Sequence, residues 1–191
     1  MSRRAESRGD VLRRVVEWLA DRLPAPRVIY DRDGKSPYLS RYYLRGRPTM
    51  PDGSEPFASD GSPKVDSIGP EGIGVYLHKF HRGDSDEALH NHPWIWSRSL
   101  VLVGGYVEER RVERCVERRI VRPFTWNKID ANDFHRVDLI EKDCWSLFIA
   151  GPKTGKSWGF WDRWTGRFLP WRDFITQVRG KGWDSGDSVR S

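Results

Sequence analysis

Five histidines stand in this chain, and four of them (His78, His81, His90 and His92) fall within fifteen residues. His90 and His92 form the triplet His-Asn-His. On an extended strand, residues two apart project from the same face. Both imidazoles would then converge, as two ligands of one ion must. His135 follows on a later predicted strand and supplies a third nitrogen across a β-rich fold. Three imidazoles make a facial set with positions left open, and imidazole suits iron, zinc, copper or nickel.

A second stretch also carries potential chemistry. Phe148 to Ser157 reads FIAGPKTGKS, an apolar run followed by the spacing of a phosphate-binding loop. Such a loop works only where a strand feeds it and a helix follows at once, because the helix N-terminus and its N–H groups hold the phosphate. Residues 158–174 are crowded with Trp and Phe and interrupted by Gly, without helical spacing, which favours strands and turns. The expectation is therefore a polar turn between strands, with Lys153 and Lys156 solvated.

These candidates need elements to position them. The chain has 191 residues, enough for one domain with a sizeable core. Aromatic residues make up 13%, with ten Trp, which points to an aromatic-rich core or pocket. The net charge of +6 permits anionic partners without demanding them. Two cysteines, Cys115 and Cys144, make no disulfide framework, and no stretch is long and apolar enough to span a membrane. The first ten residues lack the apolar segment of a signal peptide, so a cytoplasmic protein is expected.

Residues 10–23 have the spacing of an amphipathic helix, with Val11, Leu12, Val15, Val16, Trp18, Leu19 and Leu23 on one face and Asp10 as its cap. Strands are predicted at 27–30, 37–46, 73–80, 94–111 as one or two, 116–124, 134–140 and 144–150. Short strands at close spacing suggest a sandwich or barrel. Four regions follow: an N-terminal helix and flanking strands at 1–46, a long loop or lid at 47–72, a β-barrel at 73–179 and a disordered tail at 180–191. Within the barrel, residues 108–122 alternate acids with arginines and read as a solvated hairpin.

The stretch 84–105, DSDEALHNHPWIWSRSLVLVGG, resembles the first motif of the cupin family. His90 and His92 match its paired histidines and Gly104 its closing glycine. Ser97 or Trp96 stands where the family has a metal-binding Glu, and Gly83 is one residue from the opening glycine. The second cupin motif is matched by His135, with Asn132, Asp130 and Leu139 replacing its glycine, proline and asparagine. His-Asn-His-Pro-Trp, Gly-Gly-Tyr-Val-Glu and Phe-His-Arg-Val also resemble a group of small bacterial and phage cupins. The resemblance implies an all-β jelly-roll barrel or sandwich with its metal inside, held by His90, His92 and His135. A three-histidine set without the carboxylate is similar to that of thiol dioxygenases within the family. It implies Fe(II), with zinc, nickel or manganese as alternatives, a small anionic substrate, and a homodimer.

Supporting residues follow from register and chemistry. Tyr76, His78 and Phe80 share one face of the strand 73–80. His78 is a candidate fourth ligand, catalytic contact or plain surface histidine, and Tyr106 a candidate catalytic residue at the mouth. Arg41, Arg122 and Arg136 are candidates to clamp a carboxylate or phosphate. Trp94 and Trp96 are expected on one face, as packing or as an aromatic pocket wall with Tyr76. Three functions compete: an iron oxygenase or dioxygenase, an isomerase, epimerase or lyase in the same barrel, and a module that binds a small molecule or nucleic acid without turnover. The first is favoured.

Overall fold

The computed structural model describes residues 7–31, 35–54, 56, 72–84, 87–171 and 173–174. The predicted loop or lid at 47–72 lies largely outside these residues, and the predicted tail at 180–191 lies wholly outside them. Among these residues the helix α1 (Arg8–Ala20) precedes twelve strands: β1 (Arg27–Tyr30), β2 (Pro37–Arg45), β3 (Gly74–Phe80), β4 (Leu89–His90), β5 (Trp96–Val103), β6 (Tyr106–Val112), β7 (Cys115–Val121), β8 (Trp126–Asp130), β9 (His135–Leu139), β10 (Cys144–Ala150), β11 (Gly159–Trp161) and β12 (Phe168–Pro170).

The strands form two six-stranded antiparallel sheets, ordered β1-β2-β3-β10-β5-β8 and β12-β11-β4-β9-β6-β7. From β3 to β10 the chain alternates between sheets at every step except the β6–β7 hairpin. The resulting orders, 3-10-5-8 and 4-9-6-7, are those of a jelly roll, in which opposed sheets share one core. The predicted all-β jelly roll with an N-terminal helix is the fold observed, as a sandwich whose two sheets do not close into a barrel among the described residues.

Alternation along each strand decides what enters the core. On β5, Ser97, Ser99 and Val101 are buried while Trp96, Arg98 and Leu100 lie half-buried on the other face. One cluster between the sheets is aromatic, built from Tyr76, Trp94, Ile129, Phe148 and Ala150. The other joins Val101, Tyr106, Val121, Val137 and Cys144. The turn from β5 to β6 requires glycine. Gly104 has φ +77°, and a Cβ there would sit 2.4 Å from the Asp143 carbonyl oxygen.

α1 covers the outer face of the first sheet. Its N-cap is Ser7, whose Oγ accepts the Asp10 N–H at 3.2 Å, while Asp10 Oδ2 accepts the Ser7 N–H at 3.1 Å. Asp10, predicted as the cap, is instead the third helical residue that completes a capping box. The apolar stripe is also wider than the contact. Val16 and Ala20, flanked by Leu12 and Leu23, pack on Leu77, Val103 and Trp145. Val11, Val15, Trp18 and Leu19 stay exposed, because one helix laid on a sheet buries only a line of residues three and four apart. No described helix is long and apolar enough to cross a membrane.

The suspected phosphate loop is a turn. Lys153 bridges to Trp94, residues 155–156 bend, and β11 follows where a phosphate loop needs a helix.

Candidate metal centre

β4 holds only Leu89 and His90, yet His92 still shares its face with His90 because Asn91 is pinned. The Asn91 N–H donates to the Gly159 carbonyl at 3.1 Å, its Oδ1 accepts the Gly159 N–H at 2.8 Å, and its Nδ2 donates to the Ala131 carbonyl at 3.0 Å. With Asn91 tied to β11 and the β8–β9 turn, the flanking imidazoles point together. His90 pairs across the sheet with His135 on β9. Ring centroids lie 5.2 Å apart for His90 and His92, 4.9 Å for His90 and His135, and 5.1 Å for His92 and His135.

Among the described residues, these three offer ligand nitrogens that all lie within 4.8 Å of one another. His92 Nε2 and His135 Nε2 are 2.9 Å apart. Two imidazole nitrogens bound about 2.05 Å from one ion stand about 2.9 Å apart at a right angle and about 3.3 Å at the tetrahedral angle. The His92–His135 spacing therefore suits two ligands of a single divalent ion, with His90 near enough to be a third. His90 and His92 are half-buried and His135 is buried, so the ligand set is set into the sandwich yet open on one side.

The residue behind His135 escapes the sequence reading. His135 Nδ1 lies 2.8 Å from Glu108 Oε1, and the Glu108 side chain is fully buried. That bond fixes the ring with Nε2 facing His92 Nε2, the carboxylate–histidine arrangement that would orient a metal ligand. Glu108 also accepts from Arg110 Nη2 at 3.0 Å, Arg119 Nε at 2.6 Å and Asn127 Nδ2 at 2.8 Å. Burial raises its pKa, but the hydrogen bonds from His135 and Asn127 and the Arg110 charge outweigh burial and leave it well below the carboxylate range. The hairpin 108–122, expected to be solvated, is thus solvated only in part. Its outward residues are exposed, but Glu108 projects inward from β6 with Arg119 alongside. Alternation put Glu108 on the face of Tyr106, and that was the available signal.

Asp84 lies behind His90 without a hydrogen bond to it. Its Oδ2 stands 3.9 Å from His90 Nδ1 and accepts the Val137 N–H at 2.6 Å, while Oδ1 accepts from Tyr38 at 2.7 Å. Removal from water holds His90 neutral, lowering its pKa to about 4 against the pull of Asp84. Burial likewise holds His92 well below the usual imidazole value, and the neighbouring His135, His90, Arg41 and His78 push it the same way. Neutral imidazoles are the ligating form.

The other predicted site residues divide into four groups. Trp94 stacks on His92 at 5.7 Å, and Tyr76 stacks on His78 at 5.9 Å, so both line the aromatic wall beside the triad. His78 stands outside the ligand group, since its Nε2 accepts from Arg41 Nε at 2.9 Å. Tyr106 is buried in the core rather than at the mouth. Its hydroxyl accepts from Asn127 Nδ2 at 3.1 Å, placing it behind Glu108, and burial raises its pKa.

Trp96, Arg122 and Arg136 are not brought to the site. Trp96 packs over Gly151 on the outer face of β5, while Trp94 turns inward before the strand begins, so the two do not share a face. Arg122 is exposed beyond β7. Arg136 alternates away from His135, pairing with Glu109 at 3.6 Å and donating to the Asp84 carbonyl at 3.2 Å.

Strand order and site together define a double-sheet jelly roll with a three-histidine cluster between its sheets. No family model and no curated protein sequence matches this chain. Among solved structures it is similar to KdgF from Halomonas sp., with TM-score 0.41 and 16% identity over 62% of this chain and 84% of that one. It is similar to hydroxypropylphosphonic acid epoxidase from S. wedmorenis, with TM-score 0.42 and 9% identity over 68% of this chain and 56% of that one. It is also similar to the DMSP lyase DddQ from Ruegeria pomeroyi, with TM-score 0.40 and 15% identity over 63% and 50%. The chain thus spans about half the length of the last two, and likeness at this level carries no information about chemistry.

Proposed function

We propose that this chain is a metal-dependent cupin enzyme, a mononuclear non-haem iron oxygenase or dioxygenase acting on a small anionic substrate. The observation that carries the reading is the convergence of His90, His92 and His135, with ligand nitrogens within 4.8 Å, backed by the buried Glu108 on His135. Three neutral imidazoles leave a bound divalent ion its full charge, which favours an anionic ligand in the remaining positions. Fe(II) held there would supply a Lewis-acidic, redox-active centre. The chain's own residues do the rest. Glu108 fixes the His135 ring, Asp84 stands behind His90, and Trp94, Phe148 and Tyr76 form an apolar wall that limits water beside the ligands.

Elemental analysis of protein purified without a metal-affinity step tests this, for the wild type and His92→Ala. About one iron per chain, lost in the variant, is the expected result. Zinc or nickel would favour an isomerase, epimerase or lyase in the same fold. No metal in either protein after reconstitution would overturn the reading and leave a small-molecule or nucleic-acid binder.

A further inference from the structure

The outer side of α1 is sorted by chemistry into two flanks. Val16 and Ala20, with Leu12 and Leu23, face Leu77, Val103 and Trp145 on the sheet. Successive helical residues turn by about 100°, which places the rest of the helix to one side or the other of that line. Asp10, Arg13, Glu17 and Asp21 fall on one side. There Arg13 bonds Asp143 and reaches Glu141 at 3.2 Å, Glu17 stands 3.9 Å from Lys79, and Asp10 belongs to the capping box. Val11, Val15, Trp18 and Leu19 fall on the other side, each between 44% and 54% exposed. Arg8 and Arg22 stand among them and Arg14 at their border, while the acids of the helix all lie on the opposite flank.

Four large apolar side chains side by side are a patch rather than scattered exposure, and such patches mark interaction surfaces. The cations decide with what. In a symmetric contact between two copies of this chain the flank would meet itself, setting arginine against arginine with the acids of both helices turned away. A peptide helix seated in a groove takes apolar contacts from walls on both sides. Here the shallow depression on the flank is lined, among the described residues, by Val11, Arg14, Val15 and Trp18 of α1 alone.

A flat surface with anionic groups over an apolar layer matches what is present. Arginine stems lie along apolar side chains while their heads reach outward to anions, and tryptophan sits where the two layers meet. Arg22 already lies this way, its guanidinium 3.5 Å from the centre of the Trp18 ring and its Nη1 donating to the Trp18 carbonyl at 2.8 Å. The net charge of +6 draws the whole chain toward such a surface.

We propose that α1 lays this protein on an anionic phospholipid surface, with Val11, Val15, Trp18 and Leu19 entering the headgroup layer and Arg8, Arg14 and Arg22 on the lipid phosphates. The helix lies in that layer and does not cross the membrane. The proposal is independent of the enzyme reading, since the histidine triad lies between the sheets and α1 on the outer face of one of them.

Flotation of the full chain with vesicles tests it, using phosphatidylcholine alone and phosphatidylcholine mixed with phosphatidylglycerol, each at low and high salt. Expected is binding to the mixed vesicles only, weakened by salt. Trp18→Ala and Val15→Asp should each weaken binding about tenfold or more, and Arg8→Gln about fivefold. The urea midpoints of these variants should stay near that of the wild type, since the three side chains are exposed. Equal binding of the wild type to both kinds of vesicle, or binding to neither, would overturn the proposal without recourse to any variant. So would vesicle binding that survives both Trp18→Ala and Val15→Asp. A dimer in sedimentation equilibrium that Val15→Asp dissociates would overturn it by giving the flank to a second copy. An acidic amphipathic peptide bound by a chain that ignores the vesicles would overturn it in favour of a protein partner.

Discussion

Glu108 is shared by His135, Arg110, Arg119 and Asn127. Glu108→Gln keeps the shape of that side chain and removes its charge. Metal affinity should fall about 10- to 100-fold, the usual effect of losing a partner behind a metal-ligating histidine. Competition against a chromophoric chelator measures it, and unchanged affinity would show that Glu108 serves the fold alone. His90 sets a pH dependence. Its folded pKa of about 4 lies below the ordinary 6.5, so the unfolded chain takes up the proton first as pH falls. The metal-free protein should therefore lose stability between about pH 6.5 and 4, with His90's share gone below that window. Urea unfolding across this range should show the loss, and His90→Ala should reduce it while the share of His92 remains.

At the level of elements, the β5–β6 turn and the start of α1 each hang on one residue. Gly104→Ala would force a Cβ against the Asp143 carbonyl in a left-handed conformation. It should destabilise the protein by about 1–3 kcal/mol or more, read from the urea midpoint. Because this turn delivers β6, metal binding should weaken as well. Ser7→Ala breaks the capping box and should cost about 1 kcal/mol while leaving metal affinity unchanged, since α1 lies on the outer face of the sheet. The helix prediction illustrates the limit of periodicity. A 3.6-residue pattern locates a helix, but how much of the apolar stripe is covered depends on what lies beneath it.

For the whole molecule, the triad joins segments more than forty residues apart, His92 on the chain leaving β4 and His135 on β9. Any ion held there binds the folded state and not the unfolded one, so it stabilises by mass action. At a hundredfold excess over Kd the gain is about 2.7 kcal/mol. Thermal unfolding should move to higher temperature with added divalent metal, return on chelation, and not respond in His135→Ala.

The sequence alone determined the strand-rich fold, the sandwich class and the three histidines, because alternation and the His-Asn-His spacing are local properties that a strand translates directly into a shared face. It also excluded the phosphate loop, since the helix such a loop needs is absent from the residues that follow. Tertiary structure alone decided which charged residues serve the site. Glu108 and Arg136 both lie in strands rich in alternating charge, and nothing local separates them. Pairing of β6 with β9 turns Glu108 inward onto His135 and Arg136 outward onto Glu109. Trp94 and Trp96 parted for the same kind of reason, because the chain turns between them before β5 begins. Register between strands distant in sequence sets which face meets the core, and one chain read by itself carries no record of that register.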